Sequence, residues 1–256
     1  MSILSRLLLL FFPLLAVTPG LAQETGAPPA EIKIVTRKNP GDLPYRFFLR
    51  AQRQLQSYLP PEPRKLDFNF RISFTELPMA ERDGYQPLSW GVSVVGDTVD
   101  ETLALRRGGY FILPELARAD EEDATIMFRE QSRKKSLDVA WILRTDASGR
   151  LPFAEIGQAL RELRAVQKRI SLFSISMRTE KHASYDTLKA CFLQAGGELR
   201  VGGTGAADAT IGQCSLLRLD PARIGSSGAV ELAGPVDIVT IVDARDYPGV
   251  LTPPAG

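Results

Sequence analysis

The 256-residue sequence carries 31 Lys and Arg against 30 Asp and Glu, with a single His and two Cys. Near-neutrality removes a chain-wide electrostatic drive toward nucleic acid or acidic membranes. One imidazole and two thiols are too few soft ligands for a zinc or copper centre.

The chain opens with Arg6, an apolar run Leu7–Phe12 that resumes after Pro13 as Leu14–Val17, the breaker pair Pro19-Gly20, and small residues at Gly20 and Ala22. That order is the pattern of a secretory signal peptide over residues 1–22, with a mature chain from Gln23. The run is shorter than the about 20 residues a membrane span needs; an uncleaved signal anchor is the alternative. No Cys ends the leader and no Asn-x-Ser/Thr triplet occurs, so the expectation is a periplasmic or secreted protein with no transmembrane segment after cleavage.

Residues 23–30 are polar and Pro-rich and predict a disordered tether. Ile32–Thr36 reads as a strand, Asn39-Pro40-Gly41-Asp42 as a turn, and Pro44–Leu59 as an amphipathic helix stopped by Pro60-Pro61. Leu66, Phe68, Phe70, Ile72 and Phe74 then alternate with Asp67, Asn69, Arg71, Ser73 and Thr75. This period of two predicts a strand with one buried and one wet face. Residues 76–88 read as a loop. Short β-rich runs follow at Trp90–Val95, Thr102–Arg106, Tyr110–Leu113, Ala124–Arg129 and Leu137–Arg144.

The texture changes at the turn Asp146–Gly149. Phe153, Ile156, Leu160, Leu163 and Val166 mark a helix opened by Pro152. Ile170–Met177 reads as a strand, and Ser184 is suited to cap a helix running to Gln194. Glu198–Val201, Ala209–Cys214, Ala229–Leu232 and Val236–Val242 read as further strands. The predicted class is α+β with β predominating: an antiparallel, sandwich-like sheet with two to three amphipathic helices. A β-rich domain over 31–145 and an α/β-type half over 146–247 are expected, or one domain across both, with a disordered tail at 248–256.

In an oxidising compartment two cysteines pair more often than not, which predicts Cys191–Cys214. A loop of this length contributes about 3 kcal/mol on the chain-entropy model. Two separately buried thiols are the alternative. Residues 32–65 are rich in Arg and Lys, whereas 115–123 hold Glu115, Asp120, Glu121, Glu122 and Asp123. These are solvated faces, or complementary patches meeting within the fold or across a partner such as an envelope protein or a polyanion.

The motifs for chemistry are thin. His182 lies near Ser184 and Asp186, but adjacency along one segment is not triad geometry. Asp146, Ser148, Gly149 and Glu155 match part of a calcium loop, yet Arg144 occupies the first ligand position. Gly202-Gly203-Thr204-Gly205 lacks the lysine of a phosphate loop and reads as a hairpin turn. No catalytic, cofactor-binding or metal residue is assigned, and no cofactor or nucleic-acid partner is expected.

The series Gly91-Val-Ser-Val-Val95, Leu103–Arg106, Gly109-Tyr-Phe-Ile-Leu-Pro114 and Ala124-Thr-Ile-Met-Phe128, within residues 88–130, resembles the carboxypeptidase-regulatory-like, transthyretin-like sandwich module. The chain departs from that family where Ala117–Asp123 stands in place of its Pro-Gly-x-Tyr turn. The resemblance implies a non-catalytic appendage of an exported protein and brings no site residues with it. The expected function is therefore an exported binding or structural accessory module of the bacterial envelope; the alternative is a periplasmic hydrolase using acidic residues.

Overall fold

The computed structural model describes residues 42–74, 77–84, 91–129, 135–170, 182–220 and 227–251. The leader, the tether, the Ile32–Thr36 strand and nearly all of the Ile170–Met177 strand lie outside them. Along the chain run β1 (Leu43–Pro44), α1 (Tyr45–Tyr58), β2 (Leu66–Phe74), α2 (Met79–Gly84), β3 (Val92–Val95), β4 (Asp100–Leu103), β5 (Tyr110–Phe111), α3 (Ala117–Glu121), β6 (Thr125–Phe128) and β7 (Lys135–Leu143). There follow β8 (Arg150–Pro152), α4 (Phe153–Arg169), β9 (Thr187–Phe192), β10 (Glu198–Val201), β11 (Thr204–Gly205), β12 (Ala209–Ile211), β13 (Cys214–Arg218), β14 (Ala229–Ala233) and β15 (Val236–Val242). The fold is α+β, β-predominant and antiparallel.

Seven strands form the main sheet in the order β12-β13-β9-β15-β7-β2-β5, and strands from both sides of residue 145 share it. Two four-stranded sheets flank it, β1-β6-β3-β4 and β11-β10-β14-β8. The alternation read in β2 sets its pairing: nine consecutive register positions join it to β7, from Leu66↔Leu143 to Phe74↔Lys135. One face of the sheet carries Phe68, Phe70, Trp141, Leu188, Ala190 and Ile241 into the principal core, and α4 packs against β2 and β7.

The helices follow their apolar spacing. α1 buries Tyr45, Leu49, Gln52 and Leu55. It ends where Leu59 turns extended ahead of Pro60, whose ring disfavours the helical region for the preceding residue. α4 buries Phe153, Ile156, Gly157, Ala159, Leu163 and Val166. Glu155 in its first turn and Lys168 and Arg169 in its last complement the helix dipole.

The basic stretch meets the acidic one inside the chain. Arg46 Nε lies 2.9 Å from Asp120, and Arg53 lies 3.0 Å from Glu115. Tyr45 OH donates to Pro114 O and accepts from Leu116 N, both at 2.7 Å, which fastens the helix to the same segment.

Four expectations give way. The second face of β2 is not wet: Asn69 and Arg71 are buried, and Arg71 is covered by α2, which forms within the expected 76–88 loop and brings Asp83 to it. The helix expected from Ser184 is strand β9, whose six residues are all buried between two partners. Such a strand has no wet face, so it shows no alternation. The run Ala209–Cys214 is a hairpin: Gly212 takes φ 56° in the turn, and β13 follows. The tail expected from 248 is packed at its start, with Leu251 buried beside Tyr247 and Leu216.

The Cys191–Cys214 disulfide is formed between residues directly opposite one another in β9 and β13. Among the described residues no helix is long and apolar enough to cross a membrane.

The end of β9 depends on an absent side chain. A Cβ built on Gly197 would lie 2.1 Å from the Phe192 ring, and that ring is fully buried. Gly197→Ala is expected to lower stability by about 1–3 kcal/mol, as overpacking in a filled core does. Chemical denaturation of the variant checks this.

A candidate binding cleft beside a buried charge cluster

On the second face of the sheet, side chains from three segments converge on one carboxylate of α2. Asp83 of α2 accepts at Oδ1 from Arg71 of β2 (2.7 Å) and from Lys189 of β9 (2.6 Å). Its Oδ2 accepts from Tyr247 OH at 2.8 Å. Lys189 also donates to Tyr110 OH at 2.8 Å, and Arg71 Nε donates to Gly108 O at 3.0 Å. The Arg71 guanidinium lies 4.8 Å from the Tyr110 ring centroid. Gly108 is needed here: its φ is +74°, and a Cβ would come within 3.0 Å of Tyr110.

Burial alone would raise the Asp83 carboxyl, but Lys189 and Arg71 outweigh it and hold its pKa below the usual carboxylate range. Burial would likewise lower Lys189, yet Asp83, Tyr110 and Tyr247 hold it above the ordinary lysine value. Burial keeps the Tyr247 phenol neutral by raising it. Lys189 is thus a locked ammonium, without the free amine a nucleophilic lysine requires. Asp138, directly opposite Arg71 in register, and Asp246 add negative charge nearby.

The cleft itself begins where the sheet divides. β15 and β7 pair only at Thr240↔Ile142 and Ile241↔Trp141. Beyond that, β15 turns away at Asp243 into a 3-10 turn, Ala244–Asp246. A cavity of about 1310 Å³ opens there, between the parting strands, α1 and the segment around His182–Tyr185. Phe47, Phe48, Phe70 and Trp141 stand in its wall, and Phe68, outside the lining, links the last two. Phe47 and Phe48 have centroids 5.1 Å apart, Phe48 and Phe70 5.9 Å, Phe70 and Phe68 5.9 Å, and Phe68 and Trp141 6.3 Å, all edge-on. Trp141 Nε1 donates to Tyr185 OH at 2.9 Å. The rings run from Phe47, 63% exposed at the mouth, to Trp141, 1% exposed. Thr240 Oγ1 is buried with no hydrogen-bond partner, and its residue lines the cavity.

The rim is stitched by Asp243. Its carboxylate accepts from Ser184 N at 2.7 Å, from Arg245 N at 2.9 Å and from the Arg245 guanidinium at 2.6 Å. Burial works against ionisation, but these donors prevail and pull the pKa down to about 2. Burial and the neighbouring Asp243 raise the carboxyl of Asp246.

His182 stands exposed on this rim. Asp186 spends Oδ1 on Ala244 N (2.9 Å) and Thr187 Oγ1 (3.1 Å), so the His-Ser-Asp run is a loop anchor. Cys191 and Cys214 are buried in a small cluster with Tyr110 and Ile238 and are not among the lining residues of the cavity. Of the calcium-loop residues, Asp146 accepts from Ser148 N at 2.9 Å, while Glu155 pairs with Lys65 at 2.9 Å. Gly202 and Gly203, with φ 61° and 78°, turn the β10–β11 hairpin.

Sequence reasoning missed Arg71, Asp83, Tyr110, Lys189 and Tyr247. The available signal was Lys189, a lone charge inside the apolar run Leu188–Phe192. Comparison with known proteins adds no relative: no family model, no curated protein and no solved structure matches the chain.

Two outcomes follow. Asp83→Asn leaves Arg71 and Lys189 buried without their carboxylate and is expected to cost about 3–5 kcal/mol, the range for breaking a buried ion pair; urea denaturation measures it. Asp243 has a folded pKa of about 2, below the unfolded value of about 3.9. Its contribution is therefore present above about pH 4 and lost as pH falls toward 2. The stability gap between wild type and Asp243→Asn is expected to be widest near neutrality and to close across that window in a melting series.

Proposed function

We propose that this chain is an exported, non-catalytic binding module of the bacterial envelope, and that its ligand enters the aromatic cleft between α1 and the divided sheet. The observation carrying this reading is the open cavity lined by Phe47, Phe48, Phe70 and Trp141, from an exposed ring to a buried one. Pockets for small ligands are concave and mostly apolar, with a few placed polar groups. The buried ionisable groups beside the cleft support the same reading. Lys189, Arg71 and Asp83 are fixed in one protonation state by one another, whereas catalysis by acid and base needs a group poised near the working pH.

Export rests on the order of Arg6, the apolar run and Gly20-Leu21-Ala22, and the disulfide fits an oxidising compartment. The likeness of residues 88–130 to sandwich appendages favours the non-catalytic role. A second reading, hydrolysis by carboxylates, has one observation in its favour: Asp138, Asp243 and Asp246 line the same cavity, and Asp246 has a raised pKa.

Filling the cleft separates the readings. Ala51 lies on the stripe of α1 that lines the cavity, between Phe47 and Gln54. Ala51→Trp is expected to keep the fold and abolish uptake of small apolar molecules, followed by native mass spectrometry and thermal shift. Turnover of glycan or peptide substrates that disappears in Asp246→Asn would replace the binding reading with the hydrolytic one.

A further inference from the structure

Resting on the cleft as a ligand site, we infer that its occupant is a free amphipathic carboxylate, bound with its hydrocarbon inward and its carboxylate at the rim beside Arg50. The hydrocarbon end follows from the wall, since Phe48, Phe70 and Trp141 offer apolar surface along the length of the cavity. From Phe47 to Tyr58, α1 extends about 16 Å at 1.5 Å per residue, room for a chain rather than a small ring.

The head group follows from where the charges stand. α1 carries three arginines. Arg46 and Arg53 are taken up by Asp120 and Glu115. Arg50 lines the cleft, is exposed, and among the described residues has no carboxylate within ion-pair distance. Across the mouth, the Arg245 guanidinium is paired with Asp243, and Asp246 stands exposed beside it. An anion therefore finds its cation on the α1 side of the mouth, at Arg50. Further in, Asp138 lines the cavity, opposite Arg71 in register. An anionic head driven inward would meet Asp138, and Arg71 there is already held by Asp83, whereas on the α1 side of the mouth it meets Arg50. The same arrangement disfavours a bilayer as the source, because the apolar surface lies within a cavity and not on an outward plane.

The test compares three twelve-carbon probes below their micelle concentrations: dodecanoate, dodecanol and dodecyltrimethylammonium. Trp141 fluorescence reports binding in a Trp90→Phe background, since the chain holds two tryptophans. Dodecanoate is expected to bind saturably and most tightly. Arg50→Gln is expected to weaken it about fivefold, the scale of an exposed ion pair, while leaving dodecanol unchanged. Dodecanol binding as tightly as the acid, or an Arg50→Gln variant with undiminished preference, would overturn the head-group assignment and leave the cleft standing. Preference for the ammonium probe would reverse the orientation and equally overturn it. Uptake of none of the three would bring down the cleft as a ligand site together with this inference. Flotation with phosphatidylglycerol vesicles, without uptake of free dodecanoate, would overturn it in favour of a membrane.

Discussion

An ammonium group with no exposed surface has to be answered by the rest of the chain, and Lys189 sets that requirement at the centre of the main sheet. An isolated buried charge is far too costly to persist, so the fold brings Asp83 to it from a helix more than a hundred residues away in sequence. The same carboxylate answers Arg71 and Tyr247. One interaction thus joins a central strand, β2, α2, β5 and the C-terminal turn. Covering the second face of the sheet with polar groups is possible only because each of them finds a partner there.

The cluster also frames the cleft. Tyr247 is held by Asp83, and just before it the chain leaves the sheet at Asp243. That departure ends the pairing of β15 with β7 after two positions and parts the strands. Asp243 then fixes the other side of the opening by accepting from Ser184 N and Arg245. The cavity is thereby bounded by elements whose positions depend on buried, satisfied carboxylates rather than on loop conformation.

Much of the architecture was legible in the sequence where one physical signal dominated. β2 alternates and pairs along its whole length, α1 and α4 follow the helical period, and the two cysteines stand opposite one another. The failures share a cause. β9 is buried on both faces, so Thr187–Phe192 carries no period of two, and the cap signal at Ser184 points to a helix instead. Arg71 looked like a wet-face residue because local alternation does not record that α2 will cover it. The cleft was invisible for a further reason: Phe48, Phe70 and Trp141 are ordinary core residues by composition, and only the parting of two strands turns them into a wall.

Charge placement separates what holds the fold from what remains for a ligand. Most cations near α1 are committed: Arg46 and Arg53 to the 115–120 segment, Arg64 to Asp67, and Lys65 to Glu155. A basic stretch of sequence is therefore not a basic surface, and a polyanion would have to compete with carboxylates already in place. Arg50 differs because its position on the shoulder of α1 turns it from the acidic segment toward the cavity. A single uncommitted cation contributes little to affinity at an exposed rim. It can still decide which end of an amphiphile faces outward, because the apolar wall supplies the binding energy and Asp138 opposes the inverted pose.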